Sequence, residues 1–189
     1  AALAGEVVEA REFDGVDRQT RWNLPNPGVI GTPSTTDYEL YGYDANSNRT
    51  SFRKRDNSTL TYQYDALDRL TVKVVPARAG LDPAHTRDVY YGYDSFGRLT
   101  FARFDSAAGE GITTVYNGFG EVASSSTALP GLSASLTFQW DADGNRTRLT
   151  YGDGHYVTYG YDGLDRATSV LRSGSTTLVS FTYNSRGLP

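Results

Sequence analysis

Several groups in this sequence are spaced as reactive or binding groups are. Carboxylates recur three residues apart, at Asp14 and Asp17, Asp65 and Asp68, and Asp162 and Asp165. Two acids at a fixed separation are what glycoside hydrolysis requires. Asp141-Ala142-Asp143-Gly144-Asn145 begins like a calcium loop. That loop needs Gly at its sixth place and a bidentate Glu at its twelfth. Those places hold Arg146 and Gly152. Tyr159 and Tyr161 stand beside Asp162 and offer the flat ring and polar neighbours that a sugar uses. The histidines, His85 and His155, are far apart and have no Cys partner, because the chain has no Cys. Thiolate metal sites and disulfides are therefore excluded.

These residues change meaning when the chain is aligned on itself. Anchored on one aromatic it reads as eight copies, at Phe13, Tyr43, Tyr64, Tyr93, Tyr116, Trp140, Tyr161 and Tyr183. The steps between anchors are 30, 21, 29, 23, 24, 21 and 22 residues. Such periodicity is the signature of a repeat architecture. Asp or Asn follows every anchor: Asp14, Asp44, Asp65, Asp94, Asn117, Asp141, Asp162 and Asn184. Such side chains bond the backbone two residues on and open turns. Three residues further come Asp17, Ser47, Asp68, Gly97, Gly120, Gly144, Asp165 and Gly187. Gly and Asp there suit the positive φ of a hairpin loop. Arg18, Arg69, Arg98 and Arg166 come next, placed to stack on aromatics or to pair with carboxylates of adjacent copies.

A second aromatic precedes the anchor by two places: Tyr41, Tyr62, Tyr91, Phe138, Tyr159 and Phe181. Residues two apart on a strand share a face, so the pairs are expected to form an aromatic ladder. Thr114 breaks it in the fifth copy. A residue type repeated in every copy serves the backbone of that copy. The Asp pairs and the Asp141 segment are thus read as turns, and no catalytic residue, metal ligand or cofactor is assigned. Tyr159 and Tyr161 remain the candidates for glycan contact. Any specific activity is expected where copies depart from the rule: Thr114, Glu121, Trp140, Asn145 and the proline loops.

The elements that position these residues are hairpins. An aromatic strand leads into the turn and an amphipathic strand leads out, as in Leu70-Thr71-Val72-Lys73-Val74. Short turns at 56–58, 106–110, 152–154 and 173–175 join one copy to the next. Longer loops are expected at 23–36, with three prolines, and 76–86, with two. No stretch has a helical apolar period. The expectation is an all-β antiparallel hairpin array of about fifteen strands over 1–189, in which neighbouring hairpins supply the core. A meander of that length coils or closes through sheet twist. Its open edges favour self-association.

The net charge of −4 provides no basic footprint for nucleic acid. No apolar run reaches a membrane-spanning length. Ala1-Ala2-Leu3-Ala4 is no signal-peptide pattern, and both ends look cut from a longer polypeptide.

The figure Tyr91-Gly92-Tyr93-Asp94-Ser95-Phe96-Gly97-Arg98-Leu99-Thr100 and its partner Tyr159 to Thr168 resemble the YD repeat of RHS-repeat proteins. The resemblance covers nearly the whole chain. It implies a segment of a spiral β-sheet enclosing a hollow shell. Relatives include bacterial polymorphic toxins, C components of insecticidal toxin complexes, wall-associated proteins and teneurins. It further implies a secreted or cell-surface protein whose partners are flanking repeats and a C-terminal toxin domain. The family's autoproteolytic segment, Asp-Pro-x-Gly-Leu-like, has no match at Gly187-Leu188-Pro189, so the chain reads as repeat body only.

Overall fold

The computed structural model describes residues 7–184, 186 and 187. Ala1-Ala2-Leu3-Ala4 and Leu188-Pro189, on which the expectation of cut ends rests, lie outside those residues, as does Ser185 of the eighth turn. The chain packs as two compact units, Ala1–Tyr91 with Phe104–Ala107, and Gly92–Arg103 with Ala108–Pro189.

The first unit contains β1 (Ala10–Phe13), β2 (Gln19–Pro25), β3 (Pro33–Tyr43), β4 (Arg49–Arg53), β5 (Thr59–Tyr64), β6 (Leu70–Val74) and the start of β7 (Val89–Tyr93). The second continues through β8 (Leu99–Phe104), β9 (Gly111–Tyr116), β10 (Val122–Leu129), β11 (Leu132–Trp140), β12 (Arg146–Tyr151), β13 (Tyr156–Tyr161), β14 (Ala167–Arg172) and β15 (Thr176–Ser180). The fold is all-β, and in each unit strands pair antiparallel in chain order without a crossover. The only helical residues among those described form one 3-10 turn, Pro83–His85.

Alternation along a strand sets the two faces. In β5, Leu60, Tyr62 and Tyr64 are half-buried, while Thr59, Thr61 and Gln63 are exposed. The same pattern closes β11, where Leu136, Phe138 and Trp140 alternate with exposed Thr137 and Gln139. Between the two aromatics of β7, Gly92 leaves room on the opposite face. A Cβ there would lie 1.9 Å from the Phe101 ring, so that ring fills the space.

Three expectations are corrected here. Hairpin neighbours do not enclose a core: among the described residues no apolar side chain is buried, and Ser34, 5% exposed, is the only buried polar one. One layer of sheet covers its apolar groups partly and encloses none. The first proline loop is also shorter than 23–36. Pro25 and Pro33 face each other as paired strand ends, leaving 26–32 as loop. Proline's missing N–H is tolerated at a strand terminus. The second loop, 75–88, is longer than 76–86; its ends are tied by Asp88 Oδ1 accepting the Val75 N–H, and its 3-10 turn is capped by Asp82 Oδ1 accepting the Ala84 N–H, each at 2.8 Å.

Candidate functional site

The arginine-bearing aromatic-Asp turns are built the same way. Asp94 Oδ1 accepts the N–H of Phe96 at 2.9 Å and of Arg98 at 3.0 Å, while Oδ2 takes Arg98 Nε at 2.7 Å. Asp65 with Arg69 and Asp162 with Arg166 repeat this geometry. The residue three beyond the Asp or Asn has positive φ in all eight turns, from 58° at Asp68 to 94° at Gly120. The extra residue shifts the register beside the anchor, as at Gly160/Tyr161. Hydrogen bonds from Arg69 hold the Asp65 carboxyl below its ordinary range, and those from Arg166 do the same to Asp162. These carboxylates are committed to their own turns. Of the two roles expected of these arginines, the ion pair is made within the copy rather than with the adjacent one, and the stacking on aromatics is present.

Asp68 and Asp165, the second members of the acid pairs, serve the preceding turn. Asp68 Oδ1 accepts Nδ2 of Asn46 and Asn48 at 2.9 and 2.6 Å. Asp165 Oδ1 accepts Asn145 Nδ2 at 2.8 Å. The pairs hold the ordinary geometry of the array. Asp141 is similar: its Oδ1 takes the N–H of Asp143 at 3.1 Å and of Asn145 at 2.8 Å, and Gly144 has a φ of 83°. Turn five inverts the chemistry. Asn117 Nδ2 donates to Glu121 Oε2 at 2.6 Å. No group of three or more metal-ligating side chains occurs among the described residues. His155 Nδ1 lies 3.1 Å from Asp153 Oδ2 on an exposed turn, and His85 sits in the 3-10 turn.

The anchors carry a link that sequence reasoning missed. The anchor's polar tip donates to a backbone carbonyl of the preceding copy, one residue past that copy's turn. Tyr43 reaches Gln19 at 2.9 Å, Tyr64 reaches Arg49 at 3.0 Å and Tyr116 reaches Leu99 at 3.0 Å. Trp140 Nε1 reaches Val122 at 2.9 Å, Tyr161 reaches Arg146 at 3.1 Å and Tyr183 reaches Ala167 at 2.7 Å. The signal was present: seven of the eight anchors are Tyr or Trp, aromatics with a polar handle, and only Phe13 lacks one.

The rings seldom touch one another. Tyr41 stacks on Phe52 at 5.2 Å, and Phe138 meets Trp140 at 6.4 Å. Elsewhere guanidinium groups lie between them. Arg18 covers Tyr43 at 4.8 Å, and Arg98 and Arg166 cover Tyr116 and Tyr183 at 4.4 Å. Tyr116 keeps both its links, to Arg98 and to the Leu99 carbonyl, despite Thr114. Arg146 lies over Tyr159 at 4.6 Å, so one ring face of this glycan candidate is occupied. Burial and a hydrogen bond to Glu39 push Tyr41 up to about 12. Tyr62 and Tyr91 stand half-buried in β5 and β7 beside their anchors Tyr64 and Tyr93.

Residues 43–79, which span the second and third copies, match the RHS repeat family. The chain carries the RHS repeat. Its fold is also that of segments of solved TcdB2-TccC3 and Tc holotoxin structures. Over 97% of this chain it superposes on the crystal structure of TcdB2-TccC3-Cdc42 with a TM-score of 0.63 and 15% identity. Over 95% it superposes on the Photorhabdus luminescens Tc holotoxin pore with a TM-score of 0.62 and 15% identity. This chain spans 11% of the length of either. No curated protein matches it.

Proposed function

We propose that this RHS-repeat chain is a non-catalytic wall segment of a β-shell, one continuous array within a larger secreted or cell-surface protein. The shell encloses or presents a C-terminal toxin, and the segment's partners are the flanking repeats and that toxin domain. One observation carries the reading: the repeated polar groups are spent inside the sheet. Turn carboxylates bind their own backbone and arginine, and anchor hydroxyls bind the preceding copy. A sheet one layer thick with no buried apolar side chain among its described residues is suited to being a wall. A glycan-binding role, the alternative from the sequence, would need Tyr159 to free the ring face that Arg146 occupies.

The test is limited proteolysis of the full-length polypeptide containing this chain. The region C-terminal to the repeats is expected to resist cleavage while the repeats are folded and to be digested after they are unfolded. Equal digestion in both states would remove the shell role.

A further inference from the structure

The tips of the second unit's turns carry side chains that the turns do not need. The residue two beyond the Asp or Asn gives the turn its N–H, and Asp143 fills the place as well as an apolar residue does; of the apolar tips Phe96 also lies 5.1 Å from the Arg98 guanidinium. Yet the tips of the fourth, fifth and seventh turns are Phe96, Phe119 and Leu164, 82%, 92% and 73% exposed, and Arg186 holds the place in the eighth. Turns on one edge are two strands apart, so neighbouring tips stand about 10 Å from one another. Large apolar groups in such a row, set among polar ones, mark an interaction surface.

The charges around them select the occupant. Asp94 and Asp162 are neutralised by Arg98 and Arg166. Among the described residues Glu121, Asp141, Asp143 and Asp165 form no ion pair, and they stand on the same edge. Between the fifth and sixth turns lies a shallow cavity of about 310 Å³, lined by Phe119, Glu121, Asp141, Ala142, Asp143 and Gly144. An apolar wall with carboxylates fits a long side chain that has an aliphatic stem and a cationic head. Nucleic acid and anionic lipid would meet only repulsion.

We propose that this turn edge, from Phe96 to Leu164, is a docking surface for a basic amphipathic polypeptide segment. A lysine or arginine of the partner enters the cavity beside Phe119, and its apolar residues cover Phe96, Phe119 and Leu164. The proposal does not depend on the shell role.

The experiment uses the whole chain and a fluorescein-labelled peptide made of repeated Leu-Lys-Lys-Leu-Leu-Lys-Leu, beside a counterpart with Glu for Lys. Anisotropy should rise with the lysine peptide only, and less so when salt is raised from about 50 to about 500 mM. Phe119→Ser should weaken binding about tenfold, and Asp143→Asn about threefold. Asp153→Asn, on the opposite turn edge, should leave it unchanged. Circular dichroism should be the same for all three variants, since each site is exposed. Equal binding of the Glu peptide, no binding, or indifference to both Phe119→Ser and Phe96→Ser would overturn the proposal. So would concentration-dependent dimers by sedimentation that Phe119→Ser abolishes, which would give the surface to a second copy.

Discussion

In the turn at Asp94, the residue four places on is Arg98, and it folds back onto the aspartate that opened the turn. In the turn at Asp141 the equivalent residue is Asn145, and it reaches forward to Asp165 of the next turn. The first unit repeats the second form, with Asn48 reaching Asp68. The next turn is matched to each. After Arg98 the positive-φ place is Gly120, where a Cβ would lie 3.2 Å from Arg98 Nη1. After Asn48 and Asn145 it is an aspartate that accepts the amide. In the Asn form the arginine moves one place along, to Arg49 and Arg146, and still covers a ring. The contact between guanidinium and ring is thus common to both forms. Arg98 closes its turn and Asn145 joins two, while Asn48, which also bonds Asp44 Oδ2 at 3.1 Å, and Arg18, which also bonds Ser47 Oγ at 3.0 Å, do both.

The largest effect that tests this comparison is collective. The Asp65 and Asp162 carboxyls are held down by bonds from Arg69 and Arg166. Asp14, Asp44 and Asp94 are also lowered: partial burial pushes them up, but side-chain and backbone hydrogen bonds outweigh it. Folded values below the ordinary 3.8 mean stability that is complete above 3.8 and is lost as pH falls through the folded values. The urea midpoint should hold between about pH 7 and 5 and drop steeply below about pH 4. A midpoint unchanged in acid would show that neither form of link matters.

Next in size is Gly120→Val, which combines a φ of 94° with the approach to Arg98. It should cost about 2 kcal/mol in urea unfolding. A neutral outcome would break the match between arginine and the following glycine. Asn145→Ala should cost about 1 kcal/mol in the native background and close to nothing in the Asp165→Gly background. Additive costs would dissolve the link between turns. Arg98→Ala should lower the thermal midpoint by the equivalent of about 1 kcal/mol, for its pair with Asp94 and its contact with Tyr116 together. The smallest effect is expected of Asp153→Asn, whose ion pair with His155 is exposed on both sides and belongs to neither form. Its midpoint should not move measurably.

Much of the array was legible because its signals are local. A turn needs one backbone-binding side chain and one residue tolerant of positive φ, and both recur at fixed offsets; Asp17, Ser47 and Asp68 have that φ as Gly97 does. The turn Leu129-Pro130-Gly131-Leu132, which joins β10 to β11, was overlooked although Pro-Gly is a strong turn pair. What joins one copy to the next was hidden for a physical reason. Tyr161 bonds the carbonyl of Arg146, a group that every residue type possesses, so no side chain marks the acceptor. The sharing of Arg98 between Asp94 and Tyr116 likewise depends on cross-strand placement, which repeat spacing alone does not determine. That Phe96 and Phe119 stand on one edge follows from a hairpin meander, but the degree of their exposure, 82% and 92%, comes from the fold.

The anchor hydroxyls have a consequence for how such a chain changes over generations. Each donates to a carbonyl one copy back and no further, as Tyr43 does to Gln19 and Tyr183 to Ala167. Duplicating or deleting a whole copy therefore restores every donor to an equivalent acceptor at the new junction. An insertion of one strand would send all later turns to the opposite edge, and a slip of one residue would turn the aromatics to the other face. The length of such an array can thus change by whole copies without breaking the links between them. Loops such as 26–32 and 75–88, which lie between copies, are where extra residues can be added without shifting that count.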